Sequence, residues 1–184
     1  MWMEYNKQTK GTEETANVTV GKAEGVVDCT AEEVVAWFFD FCSNDSTKMS
    51  HERGDLARLE IARAGETRAN EKTIATIEKS PFPFRDREYV SKLIWKVNSD
   101  DLSFSVAIWP VPDVVVDYGD SLTKTKIIRG EVKGIFTATN VGSIGKVKQC
   151  KVTYHQVSEQ GRNSYVHFDL TISYSHKFYS YSYN

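Results

Sequence analysis

Residues 87–109, REYVSKLIWKVNSDDLSFSVAIW, decide the fold class because two alternating runs flank one polar turn. Successive side chains of a strand point to opposite faces. Glu88, Lys92 and Lys96 therefore share one face of the first run, and its other face carries Tyr89, Ser91, Leu93 and Trp95. The second run places Phe104, Val106 and Ile108 opposite its serines. The stretch predicts an antiparallel hairpin with one solvent-exposed polar face and one face of aromatic and aliphatic side chains.

The same period of two recurs on both sides of this hairpin. Two short extended segments are expected around Gly21 and Gly25, and Val152 and Tyr154 alternate with polar neighbours near the C-terminal end. The predicted strands are 57–64, 70–79, 87–98, 102–109, 124–139 and 147–157. No helical segment separates these strands and their connecting turns are short, which indicates an antiparallel meander rather than a parallel sheet.

A helix is predicted at 31–42, before the strands begin. Thr30 is a good N-cap, and Glu33 follows three residues later as in a capping box. Val34 and Phe38 recur at helical spacing, so this helix should dock on the apolar face of the sheet. The polar stretch 43–55 is compatible with a short second helix. Together the elements predict an α+β domain, a curved antiparallel sheet packed with helices.

Composition narrows the function classes. The chain has 184 residues, 26% of them charged, and a net charge of -2, which gives no basic stripe for nucleic acid. No run of apolar residues is long enough for a spanning helix, and no secretory signal precedes the first strand. The three cysteines are odd in number and widely spaced, as in reduced proteins. We therefore expect a cytoplasmic protein.

The sequence lacks the familiar motifs of catalytic, metal-binding and phosphate-binding sites. The four histidines do not have metal-binding spacing, and no nucleophile elbow occurs. The segment Gly142–Lys146 lacks the spacing of a phosphate loop, and a hairpin turn explains it better. We expect no catalytic residue, no metal ion and no cofactor.

Four segments resemble the START (StAR-related lipid-transfer) family. Pro81–Val90 is similar to the proline–arginine–aromatic signature that opens a strand of that family, and Val27–Val34 is similar to its strand-to-helix entry. Val116–Gly119 with Ile128–Gly130 resembles its loop and following strand, and Cys150–Tyr154 resembles its penultimate strand. The resemblance covers residues 16–161 in the family's order.

This resemblance implies a helix-grip fold, in which a U-shaped sheet forms a tunnel for one lipid or sterol and a C-terminal helix closes it. It also implies transient membrane contact. Alternation then predicts the tunnel-lining residues Tyr89, Ser91, Leu93, Trp95, Phe104, Val106, Ile108, Val152 and Tyr154. Arg87 stands beside a proline-rich turn at a strand start, where an arginine pins carbonyls or an acid such as Asp86 or Glu88, so we expect a structural role.

Two positions depart from the family pattern. Sterol-binding members often carry an arginine where this chain has Leu93, paired with an acid where it has Thr73–Ala75. Residues 162–184 stand where the lid helix belongs, but they are rich in serine and tyrosine, which disfavours a helix. The expected organisation is a loose leader at 1–15, a START-like lipid-binding domain at 16–161 and an atypical tail at 162–184.

Two other functions are compatible with the sequence. An enzyme of the same helix-grip superfamily, such as a cyclase or hydroxylase component, would need convergent polar groups in the tunnel, for which the candidates are Arg87, Tyr89, Tyr154 and His155. Alternation places Tyr154 and His155 on opposite faces, which disfavours this site. A truncated domain that serves only as an interaction module is the second alternative.

Overall fold

The computed structural model describes residues 2–6, 18–62, 68–119 and 127–159. The order of its elements is β1 (Trp2–Asn6), β2 (Val18–Val27), α1 (Ala31–Phe39), α2 (Asn44–Glu52), β3 (Ala57–Ile61), β4 (Glu71–Glu78), β5 (Arg87–Asn98), β6 (Ser103–Pro110), β7 (Ile128–Ile144) and β8 (Val147–Glu159). The predicted α+β class is confirmed, and so are both helices.

One curved sheet of eight strands holds the described part of the chain together, in the order β1-β2-β8-β7-β6-β5-β4-β3. Neighbouring strands in this order are antiparallel. Beyond the end of β6, the first residues of β7 pair in parallel with β5, Arg87 opposite Ile128 and Tyr89 opposite Gly130. The strands on either side of β6 therefore meet at this end of the sheet.

Several strand boundaries differ from the sequence predictions. Residues 2–6, expected in a loose leader, form β1 against β2. A strand can add to a free sheet edge through backbone hydrogen bonds alone. The side-chain pattern of the sequence therefore did not indicate β1. The two segments expected around Gly21 and Gly25 are one strand, because β8 pairs with all of Val18–Val27. Strand β7, predicted to end at residue 139, continues to Ile144 by means of a bulge between Asn140 and Gly142.

Some predictions fall on residues outside the described ranges. These are the rest of the leader at 7–15, residues 63–64 and 124–126 of two predicted strands, and the tail at 162–184.

Helix α1 begins at the predicted capping box. Thr30 Oγ1 accepts a hydrogen bond from Glu33 N at 3.2 Å, and Glu33 Oε2 accepts one from Thr30 N at 2.8 Å. The helix ends at Phe39, earlier than predicted, and Asp40 is its C-cap. Val34 is fully buried, and the Phe38 ring stacks on Phe136 of β7 with ring centroids 4.3 Å apart. The face of the sheet that α1 covers is called the inner face below, and the opposite one the outer face.

On the outer face a polar network fixes the loop after β6. Glu88 Oε2 lies 2.7 Å from Arg129 Nε, and Glu88 Oε1 accepts a hydrogen bond of 2.8 Å from Tyr118 Oη. Arg129 Nη2 also donates to the Val114 carbonyl at 3.0 Å. Because an arginine bound to a carboxylate and to carbonyls is held rigidly, this network positions the loop against β5 and β7. Among the described residues, no helix could cross a membrane.

Candidate functional site

The strand register places all the predicted tunnel-lining residues on the inner face. Leu93 of β5 lies opposite Ile108 of β6, and Trp95 lies opposite Val106. On the other side of β6, the β7–β8 register puts Tyr154 and Val152 on the same face, opposite Phe136 and Ala138. Their burial ranges from complete to partial: Val106, Val152, Leu93, Ser91, Ile108 and Tyr154 are buried, and Tyr89, Trp95 and Phe104 are half-buried. That they line a ligand tunnel stays a prediction.

The inner face has two parts. Around α1, the apolar members of the predicted set join one continuous core with Val34 and Phe38. Polar side chains gather toward the end of the sheet where β5 meets β7. This polar end is defined by Glu78, Arg87, Tyr89, Ser91, Tyr154 and Ser158. Glu78 lies opposite Arg87, and Ser158 lies opposite Val132 of β7.

Two serine hydroxyls at the polar end are buried without a partner. Ser91 is 3% exposed and Ser158 is 1% exposed. Within the described part of the chain neither Oγ atom has a hydrogen-bond partner. A buried hydroxyl left in this state costs about 1–3 kcal/mol, so native proteins satisfy nearly all of them. The two hydroxyls are therefore candidates for contact with a bound molecule.

Two tyrosine rings lie over glycines of β7. A Cβ atom at Gly130 would stand 2.6 Å from Tyr89 Cε1, closer than real contacts allow. A Cβ atom at Gly134 would stand 3.2 Å from Tyr154 Cε2. The missing side chains let one ring approach β7 from β5 and the other from β8. Tyr154 also meets Phe38 of α1, with centroids 6.0 Å apart, so its ring joins the apolar part of the face to the polar end.

Burial keeps the two tyrosines of this end uncharged. Burial, and secondly the negative charge of Glu78, raises the pKa of Tyr89 and of Tyr154. Both phenols therefore stay protonated and can donate hydrogen bonds. Burial, reinforced by Asp55, also raises the pKa of Glu78 to about 7. Glu78 keeps contact with water, so this rise comes from the protein packed around its carboxylate and not from complete burial.

Arg87 is 4% exposed at the start of β5. Of the two acids expected beside it, Asp86 accepts a hydrogen bond from Ser80 N at 3.0 Å through Oδ1, and Glu88 binds Arg129. The positive charge of Arg87 acts on Tyr89, whose pKa it lowers against the larger effect of burial. Its purely structural role stays a prediction.

Comparison with solved structures identifies the architecture. The lipid transfer and protein localization domain of human StarD13 superposes with a TM-score of 0.56 and 11% identity, over 87% of this chain and 77% of that one. A STAR-related lipid transfer protein from Xanthomonas axonopodis gives 0.54 and 15%, over 85% and 82%. Human STARD10 gives 0.53 and 16%, over 88% of this chain and 62% of that one.

The chain has the START fold. No protein-family model matches its sequence, and no curated protein matches it. The likeness therefore rests on the three-dimensional arrangement of the strands and helices, which the four short segments of sequence resemblance had indicated.

The START-like domain does not keep a charged pair at the position of the sterol-binding pattern. Leu93 is 1% exposed and packs in the core, and Ile74 packs in that same core. The polar groups of the inner face come instead from the ends of β4 and β8 and the start of β5. Sequence reasoning missed Glu78 and Ser158. Alternation within β4 could have found Glu78, whereas Ser158 lies one residue beyond the predicted end of its strand.

Of the four candidates for the enzyme alternative, Arg87, Tyr89 and Tyr154 lie at the polar end and His155 does not join them. His155 is exposed on the outer face, opposite Lys22 and Ile135, while its neighbour Tyr154 faces inward. Burial raises the pKa of the Cys150 thiol to about 12 and that of Cys42 to about 11, which leaves both thiols protonated and poorly nucleophilic. Within the same residues, no group of side chains could hold a metal ion.

Proposed function

We propose that this START-like domain binds one hydrophobic small molecule, a lipid or sterol, against the inner face of its sheet and performs no covalent chemistry on it. The observation that carries the proposal is the pair of buried hydroxyls, Ser91 and Ser158, that have no partner among the described residues. Both lie on the inner face, next to an apolar surface and two protonated tyrosines. An amphiphile would form hydrogen bonds to the hydroxyls through its polar part and would cover the apolar surface with its hydrocarbon.

The apolar part of the proposed site supplies the affinity. Removing hydrocarbon from water contributes roughly 25 cal/mol per Å², and pockets that bind small molecules are mostly apolar with a few placed polar groups. Trp95 and Phe104 are only half-buried beside the core, so each has surface left to cover. The three similar structures support this assignment, since two of them are named for lipid transfer.

The polar end indicates the chemistry of the head group. Serine hydroxyls both donate and accept, protonated tyrosines donate, and Glu78 with its pKa near 7 does either. This mixture, together with the donor groups of Arg87, suits a hydroxyl, amide or ester group, each of which accepts hydrogen bonds. Exchange of such a ligand with membranes would make the domain a carrier or a sensor in the cytoplasm.

The test compares two buried serines with a matched control. Purified wild type is analysed by native mass spectrometry for a bound lipid, and the lipid is then extracted and identified. Ser91→Ala and Ser158→Ala should each lower lipid retention several-fold while leaving the unliganded protein equally or more stable, because each removes an unsatisfied hydroxyl. Ser105→Ala is the control, because Ser105 is as buried but its hydroxyl accepts a hydrogen bond from Asn98 at 2.9 Å.

The control variant should lose stability and keep its ligand. A wild-type protein that carries no lipid after expression, and takes none up from vesicles, would refute the proposal. So would serine variants that retain as much lipid as the wild type.

A further inference from the structure

Strands β7 and β8 extend past their neighbours as a two-stranded arm, residues 141–149. Strand β6 pairs with β7 only as far as Ala138, and β2 pairs with β8 only from Cys150 onward. Beyond those points the register joins the two strands to each other alone, with Ser143 opposite Lys148 and Ile144 opposite Val147. All the side chains from Val141 to Lys148 are exposed.

The tip of the arm is apolar although it has no cover. Ile144 is 68% exposed, Val141 54% and Val147 47%. Ile144 and Val147 are cross-strand partners, so their side chains stand together on one face of the arm. Apolar side chains gathered at an exposed tip, rather than scattered singly, mark an interaction site.

The charge on the arm has one sign. Lys146 lies in the turn and Lys148 follows it, and no acidic residue occurs between Val141 and Lys151. Two acids of the α1 region lie near the base of the arm, where Asp28 accepts a hydrogen bond from Gln149 at 2.7 Å and Glu32 accepts one from Asn140 at 3.2 Å. The positive charge is thus at the tip and the negative charge at the base.

We propose that this arm docks the domain on an anionic lipid surface. Ile144 and Val147 would enter the boundary between head groups and hydrocarbon, while Lys146 and Lys148 contact the phosphates. The positive tip favours an anionic lipid surface over a second copy bound tip to tip, because two tips in contact would bring like charges together. The inference goes beyond the proposed function, since the arm lies at the end of the sheet opposite the polar end and contributes no residue to it.

The experiment measures binding of the full chain to vesicles of phosphatidylcholine with and without phosphatidylserine. We expect sedimentation with the anionic vesicles, weaker binding at high salt, and little binding to phosphatidylcholine alone. Lys146→Glu with Lys148→Glu should lower the partition coefficient by about tenfold or more. Ile144→Ser with Val147→Ser should lower it by a similar factor on the same vesicles.

A second exposed pair of valines provides the control. Val20 and Val157 are cross-strand partners on the outer face, 43% and 41% exposed, and Val20→Ser with Val157→Ser should bind vesicles as the wild type does. Arm variants that bind as tightly as the wild type would overturn the proposal, and so would a wild type that self-associates through the arm in the absence of vesicles. Lipid retention in the arm variants, measured as above, should equal that of the wild type, so that failure here and failure of the proposed function are distinguishable.

Discussion

Buried serines have different surroundings on the two faces of the sheet. On the outer face, Ser103 and Ser105 accept hydrogen bonds from the same Nδ2 atom of Asn98, at 2.7 and 2.9 Å. On the inner face, Ser91 and Ser158 are equally buried, but neither hydroxyl has a partner in the described part of the chain. Under the proposed function, the difference separates hydroxyls that the fold uses from hydroxyls that a ligand satisfies, since an unsatisfied buried group lowers stability unless something else binds it.

The largest expected effect comes from weakening the packing of α1 against the inner face. Phe38→Ala removes the ring that stacks on Phe136 and is 8% exposed. Truncation of a buried phenylalanine costs about 3–5 kcal/mol. The midpoint of urea unfolding should fall accordingly, and the variant should retain less lipid. Phe82→Ala is the control at a side chain that is 96% exposed, and an equal loss in both variants would show that α1 does not hold the inner face.

The outer-face serines should show the opposite response to those of the inner face. Asn98→Ala leaves two buried hydroxyls without their donor and should cost about 1–3 kcal/mol in the free energy of unfolding. Replacing Ser103 and Ser105 by alanine in the same chain should recover part of this loss, which a double-mutant comparison measures. If Asn98→Ala were neutral, water would be satisfying these hydroxyls, and the contrast between the faces would lose its basis.

The smallest expected effect is a change in pH dependence at the polar end. The pKa of Glu78 is raised from 4.5 to about 7 in the folded protein, so folding favours its protonated form. Its carboxylate therefore lowers stability as the pH rises from about 4.5 to about 7, and the loss is complete above that range. Glu78→Gln should abolish this part of the pH profile of the melting temperature. Parallel profiles for the two proteins would contradict the position of Glu78 on the inner face.

The sequence predicted most of the fold because its signals are local. Alternation in 87–98 depends only on the period of two along a strand, and the capping box of α1 depends on residues three apart. Both are confirmed in the structure. The strand β1 was missed because it adds to the edge of β2 through its backbone, which side-chain patterns do not report.

What the sequence determined by itself is which side chains share a face. The alternation of side chains along a strand assigned Leu93, Val106 and Val152 to one face and His155 to the other. The strand register has the same assignment. What only the tertiary structure decided is which of those side chains find partners. Asn98 reaches its two serines across a hairpin, whereas Ser91 and Ser158 lie on strands separated by two others. Whether a buried hydroxyl is satisfied depends on atoms brought together from distant parts of the chain, and no local pattern carries that information.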